Sequence, residues 1–196
     1  LLIQLKKTHS LQEIQLVKLK KLGESKMGEN IRKIFVGFDR KETVAYHALC
    51  QSIIEKSSVP VSFTPIYLNH LSDIYYREHD NRQSNEFSFT RFLVPFLQNY
   101  SGTALFLDCD MMLRTDIDEI FQYASKQPEK AVHVIQHDYT PKNKIKYLDN
   151  VQYDYPRKNW SSVILWNCDH PKNKLLDLDF VNSASPADLH RFTWLE

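Results

Sequence analysis

No stretch of this sequence is apolar for the roughly 20 residues that a bilayer-spanning helix needs. The opening Leu1-Leu2-Ile3-Gln4-Leu5 is too short and wrongly flanked for a signal peptide. An excess of one charge is also missing: 25 Lys and Arg against 24 Asp and Glu leave a formal net charge of +1. No global field therefore draws nucleic acid or a strongly acidic partner, and binding must be argued from local sites. Cysteine is scarce. Cys50, Cys109 and Cys168 are odd in number, far apart and form no CxxC pair, which argues against a disulfide framework and a cysteine zinc site. A reducing cytosol fits that usage. No internal repeat or low-complexity tract interrupts the chain.

What is present is enough chain, at 196 residues, for one sizeable core. We expect one domain over residues 31–196 and an N-terminal extension over residues 1–30. The sequence starts on Leu1, and Met27 lies just before the first convincing strand. Residues 1–26 are accordingly set apart as tag, linker or upstream sequence. Leu11, Ile14, Val17 and Leu22 are loosely helix-spaced among Lys18, Lys20, Lys21 and Lys26. That permits a basic amphipathic helix peripheral to an anionic membrane, at its inner face, although a solvated leader is the plainer account.

From Ile31 onward, short β-rich runs alternate with helical patterns, the signature of an α/β fold with a mostly parallel sheet. Ile34 to Asp39 reads as a buried first strand, Val61 to Leu68 as the second and Thr103 to Leu107 as the third. Ala131 to Ile135 and Ser161 to Trp166 follow as the fourth and fifth. Val44, Ala45, Ala48, Leu49 and Ile53 recur at helical spacing, and Pro60 stops that helix. A polar loop without a core pattern is expected from Asn69 to Asn85. Phe89, Phe92, Leu93 and Phe96 suggest a helix that Pro95 kinks or limits to short segments. Asp116 to Glu119 resembles a capping box opening a helix through Ile120, Phe121 and Ala124. Residues 136–158 mix Pro, Tyr, Lys and Asn, and read as a long irregular loop.

The third strand runs straight into Asp108-Cys109-Asp110. In an extended segment residues i and i+2 point the same way, so Asp108 and Asp110 can present both carboxylates to one site. That site lies where open α/β sheets bind ligands, outside the carboxyl ends of the strands. Mn²⁺ or Mg²⁺ suits such oxygens and would take its remaining ligands from phosphate and water. The bland account is a turn whose acids hydrogen-bond the backbone. Two carboxylates beside an apolar run repel each other, however, and are costly to desolvate without a cation or strong donors.

Phe106-Leu107-Asp108-Cys109-Asp110-Met111, followed by Leu113 and Asp116 to Phe121, resembles the metal-binding segment of family-eight glycosyltransferases, which include glycogenin and bacterial lipopolysaccharide galactosyltransferases. Phe89 to Pro95 is similar to the helix before that segment, with Arg91 in a comparable place. Asn159 to Asn167 resembles the later Asn-Ser-Gly strand motif. With Ile34 to Asp39, the matches run in order through most of residues 31–196. The resemblance implies a GT-A, Rossmann-like sheet flanked by helices, a nucleoside diphosphate sugar donor, usually UDP-linked, and a glycan or other hydroxyl acceptor. It implies retention of anomeric configuration and assigns no covalent nucleophile. Asp108 and Asp110 would hold the metal. Gly37, Phe38, Asp39, Arg91, Asp108 and Cys109 would line the nucleotide sugar, and Lys158, Asn159, Ser161 and Ser162 the sugar or acceptor side.

Plainer readings stand beside these. Gly37 could serve close packing, Arg91 a structural ion pair, and Arg157 with Lys158 a solvated basic patch. His47 and His133 read as structural or exposed, His137-Asp138 could border the site, and His190 receives no role. The sequence also departs from the family. Ser162 replaces its glycine, its metal-binding histidine near a Lys-Pro-Trp segment has no counterpart before Glu196, and Leu189-His190-Arg191 stand roughly where its acidic acceptor motif would fall. Either the chain is incomplete at its C-terminus or this part is organised differently. The alternatives are a non-catalytic nucleotide-sugar-binding domain and, less well matched, a haloacid-dehalogenase-like phosphatase. The latter opens its fold with the Asp-x-Asp nucleophile and follows it with small residues rather than Met111-Met112.

Overall fold

A computed structural model describes residues 31–79, 83, 85–136 and 159–196. Their fold begins at Arg32. The strands are β1 (Arg32–Phe38), β2 (Val61–Tyr67), β3 (Thr103–Leu107), β4 (Val132–Gln136) and β5 (Asn159–Asn167). The helices are α1 (Thr43–Lys56), α2 (Val94–Leu97), α3 (Asp118–Ser125), α4 (Leu178–Ser183) and α5 (Pro186–His190). Among the described residues no helix is long and apolar enough to cross a membrane.

The strands form one sheet in the order β2-β1-β3-β5-β4. β1 pairs in parallel with β2 and β3, whereas β5 is antiparallel to both β3 and β4. Four strands thus share one direction and β5 runs against them, so the mostly parallel sheet expected from sequence is a mixed one. Reversing β5 has a functional effect: its N-terminal half lies beside the C-terminal end of β3, with Val163 opposite Leu107. The central strands are apolar because helices and turns cover both of their faces. Val36, Leu105, Phe106, Ile164 and Trp166 are all buried to within 1%.

The expected breakers act where the sequence puts them. α1 ends at Lys56, before Pro60, and the Ser57 backbone N–H closes it by donating a hydrogen bond to the Ile53 carbonyl. The segment around Arg91 is a 3-10 turn, Thr90–Leu93, followed by the single turn of α2, as Pro95 requires. The capping prediction at α3 holds in part. The Asp116 carboxylate accepts from the amides of Asp118 and Ser58, but Glu119 takes the Thr115 hydroxyl instead of reaching back to an amide. The loop after β2 is not coreless, since Leu71 is buried and Ile74 and Tyr75 pack on the core. Asn182 of α4 pins it, accepting from the amides of Tyr76 and Arg77 and donating to the Ile74 carbonyl.

Gly37 has a definite steric cause. A Cβ built on it would overlap the ring of Phe87, a fully buried side chain. The glycine lets that ring pack directly on β1, the close approach that glycine allows inside a strand. Gly37→Ala is therefore expected to cost about 1–3 kcal/mol through overpacking. Denaturant unfolding measures this, and Phe87→Leu in the same chain should recover part of the loss.

Candidate active site

At the end of β3 the chain leaves the sheet with one more ladder bond, from the Asp108 amide to the Ser162 carbonyl at 2.9 Å. The strand stops at Leu107, and Cys109 and Asp110 form a turn, so the extended segment expected through Asp108-Cys109-Asp110 gives way to a bend. Asp110 is exposed, Cys109 is fully buried, and the Asp108 side chain keeps 14% of its surface. The Cys109 thiol turns inward and donates to Glu42 at 3.2 Å. Burial and the Glu42 carboxylate push that thiol far above its usual range, so it is held as a neutral thiol. Cys109 has only its backbone to offer to the exposed side.

Asp108 is met by Arg91, whose Nη1 lies 2.8 Å from its Oδ1. The same nitrogen donates to the Ser161 carbonyl at 2.7 Å, and Nε donates to the Phe87 carbonyl at 3.3 Å. The guanidinium is 4% exposed and sits over the rings of Phe87 and Phe106, 5.4 and 5.1 Å from their centroids. The turn forced by Pro95 thus delivers a fixed cation beneath the carboxylate. Burial lowers the pKa of Arg91 and Asp108 opposes that, but a guanidinium stays charged throughout the ordinary pH range. Burial raises the carboxyl pKa of Asp108, Arg91 and the Ser162 hydroxyl work against the rise, and Asp110 and Glu42 add to it.

β5 supplies the other wall through an irregularity. Val134 faces Ile164 but the next residue, Ile135, faces Trp160, so Ser161, Ser162 and Val163 have no partner on β4. The bulge hands the Ser161 and Ser162 carbonyls to Arg91 and Asp108, a use of bulges that is common beside active sites. Ser161 Oγ also lies 3.0 Å from Nδ1 of His190, at the end of α5.

β1 ends on the same side of the sheet. Asp39 is 5% exposed, and both of its carboxylate oxygens accept backbone amides, from Lys41 at 2.9 Å and Glu86 at 3.2 Å. It therefore fastens the start of the Phe87 to Arg91 segment to β1. Phe38 is partly exposed and meets Tyr46 and Tyr67 edge-on, with centroids 5.2 and 5.1 Å away. A shallow cleft of about 530 Å³ lies at the start of α1, lined by Arg40 to Ala45 and Ala48.

Of the residues expected at a site, the fold brings Arg91, Asp108, Ser161 and Ser162 into one cluster, with Asp110 on its exposed edge. Gly37 and Asp39 act as packing and capping residues beneath it. Lys158, Arg157, His137 and Asp138 lie outside the described residues, and Asn159 is placed by its backbone in β5. Sequence reasoning missed Glu42, Phe87 and His190. Only the gap at Leu189-His190-Arg191, where the family's acidic motif would fall, pointed toward the last.

The donor set suits one kind of metal binding. Two carboxylates, one exposed and one with its remaining edge toward solvent, match a hard ion that completes its shell with phosphate oxygens and water. They do not make a protein-only cage: among the described residues no group of three His, Cys, Asp or Glu is arranged to hold a metal.

No family model matches this chain. Protein CDI of Arabidopsis thaliana is 48% identical over 166 residues, covering 84% of this chain and 63% of that protein, so the chain spans less than two thirds of its relative's length. The solved apo structure of the bifunctional glycosyltransferase WbbM superposes with a TM-score of 0.50 at 15% identity, covering 92% of this chain and 41% of that one. The apo structure of mouse xyloside xylosyltransferase 1 gives 0.49 at 14% identity, over 82% and 76% of the two chains. The chain is thus an α/β protein that shares the GT-A-like fold of the solved glycosyltransferase WbbM and is similar in sequence to Protein CDI.

Proposed function

We propose that this chain transfers a sugar from a nucleoside diphosphate sugar, a UDP-sugar above all, to a glycan or other hydroxyl acceptor. Transfer would depend on Mn²⁺ or Mg²⁺ and retain configuration. The observation that carries this reading is the pairing of buried Arg91 with Asp108 next to exposed Asp110, at the carboxyl end of a central strand. A charged guanidinium fixed from below orients one carboxylate. The other stays free to meet a cationic ligand.

Asp108 and Asp110 would hold the ion. Its chemistry when bound is to offset the charge that builds on the diphosphate leaving group. Arg91 acts from beneath, opposing the effect of burial on the Asp108 carboxyl, while the Asp108 amide donates to the Ser162 carbonyl. The Ser161-Ser162 bulge walls the sugar side, and Phe38 offers a ring edge at the nucleotide side. The acceptor is left to surfaces that vary more, as loops commonly do.

The test is thermal. A saturating UDP-sugar, at roughly 100 times its Kd, adds about 2.7 kcal/mol to a protein that binds it, a rise in Tm of about 5–10 °C for a domain of this size. The rise is expected with UDP and Mn²⁺ together, and neither alone should match it. A full rise without metal would sink the assigned role of the Asp pair. A non-catalytic nucleotide-sugar-binding domain is the second reading, favoured by the want of a third metal-binding side chain among the described residues. It predicts the same rise with no hydrolysis or transfer of the donor sugar.

A further inference from the structure

His190 ends the short helix α5, far along the chain from the Asp pair, yet its ring faces the cluster that fixes Asp108. Nδ1 lies 3.0 Å from Ser161 Oγ, and that oxygen lies 3.4 Å from Nη1 of Arg91, the atom that meets Asp108 at 2.8 Å. Four segments of chain thus meet through three polar contacts. The ring is held from the other side by Phe89 and Phe92, with centroids 5.6 and 5.2 Å away, and these two residues flank Arg91 in its turn. The imidazole therefore touches the Arg91 turn by packing and its guanidinium by way of the serine.

We propose that His190 is a positioning residue of the donor site, acting through Ser161 to hold Arg91, and hence Asp108, in register. Arg91 can only donate, so Ser161 Oγ accepts there, and its remaining lone pair and its proton are left for Nδ1 of His190, which donates or accepts according to its tautomer. The imidazole is then the partner that fixes the hydroxyl. An aromatic ring without that nitrogen would fill the same space and leave the hydroxyl free to rotate away from Arg91. This inference rests on the reading of Asp108 and Asp110 as a metal-diphosphate site.

Two measurements on the full chain test it with the variants His190→Phe, His190→Asn, Ser161→Ala and the Ser161→Ala/His190→Phe double. The first is affinity for UDP with Mn²⁺. His190→Phe and Ser161→Ala are each expected to weaken it about fivefold, as for one lost hydrogen bond. His190→Asn, whose side-chain amide can donate or accept at the place of Nδ1, should recover to within about twofold. The double variant should be no worse than Ser161→Ala, because both changes break one chain. Equal losses for His190→Phe and His190→Asn, or losses that multiply in the double, would overturn the proposal.

The second measurement needs no ligand: hydrogen exchange of the Arg91 guanidinium protons by NMR. Protection is expected to fall in His190→Phe and Ser161→Ala alike and to return in His190→Asn. Unchanged protection in His190→Phe would overturn the coupling even if nucleotide binding proved absent. Normal loss of protection in a protein that ignores UDP and Mn²⁺ would instead remove the functional reading and leave the coupling standing.

Discussion

Replacing Asp110 with asparagine should abolish the metal-dependent response to UDP while leaving the fold as it was. Asp110 is exposed, and among the described residues no ion pair or side-chain hydrogen bond ties it to the core. Substitutions at such positions usually change stability by about 0.5 kcal/mol or less. The neutral amide keeps the size of the carboxylate and removes the charge that a divalent ion needs. The ligand-free Tm is therefore expected to stay within a degree or two of the wild type, while the shift given by UDP with Mn²⁺ disappears. If the chain turns over donor, the rate should fall by about 10² or more, the usual loss when one group that stabilises leaving-group charge is removed. Calorimetry with a turnover assay checks both. A retained Mn²⁺-dependent shift in Asp110→Asn would show that the exposed carboxylate is not a metal ligand.

Arg91→Ala is expected to have the opposite profile, a large loss of stability with any loss of function following from it. Its guanidinium is 4% exposed and pairs with a carboxylate that is 14% exposed. Removing one member of a buried pair leaves the other charge uncompensated, at a cost of about 3–5 kcal/mol. That is a large share of the roughly 5–15 kcal/mol that holds a domain together. Two further bonds, to the carbonyls of Phe87 and Ser161, go with it. The sign of the pH dependence can be worked out. Burial already raises the folded pKa of Asp108 above its ordinary value, and losing Arg91 removes the largest influence that lowers it. A carboxyl with a raised folded pKa destabilises the fold above that pKa and stops doing so as pH falls through it toward the unfolded value. The deficit of Arg91→Ala should therefore be greatest near neutral pH and shrink on acidification. Asp108→Asn placed on Arg91→Ala should remove that pH dependence and restore part of the stability. A cost under about 1 kcal/mol, flat with pH, would mean that the pair is solvated.

These two carboxylates, two residues apart, thus have different physical standing. Asp110 is free for a ligand, whereas Asp108 belongs to the core as much as to the site. The sequence shows the spacing but cannot show that difference. Alternation along an extended strand predicts that both point one way, but β3 ends at Leu107, and Cys109 and Asp110 form a turn. Which of them is anchored depends on what approaches from other parts of the chain, and Arg91 and Ser162 arrive from separate elements.

The elements themselves were legible where local chemistry decides them. β3 runs over Thr103–Leu107, as its apolar run predicts, and β2, β4 and α1 fall close to their patterned spans. Pro95 allowed only short turns around Arg91, and that restriction is what aims the guanidinium. Less was legible where polar side chains make long-range bonds. The loop after β2 looked coreless, but Asn182, more than 100 positions later, anchors it by hydrogen bonds that leave no apolar period in the sequence. The capping prediction failed at Glu119 because a nearby hydroxyl, on Thr115, competes for its carboxylate.

By itself the sequence determined the alternation of strands and helices, the end of β3 at an acidic pair and the placing of an arginine in a proline-limited turn. These follow from side-chain volume, hydrophobic period and the backbone restrictions of proline, all local properties. Only the tertiary structure decided that β5 runs against its neighbours, that its bulge carries Ser161 to Arg91 and Ser162 to Asp108, and that His190 closes the cluster from α5. Strand direction, register and the meeting of buried charges are set by the whole core at once, because each depends on which surfaces remain once every apolar face is covered.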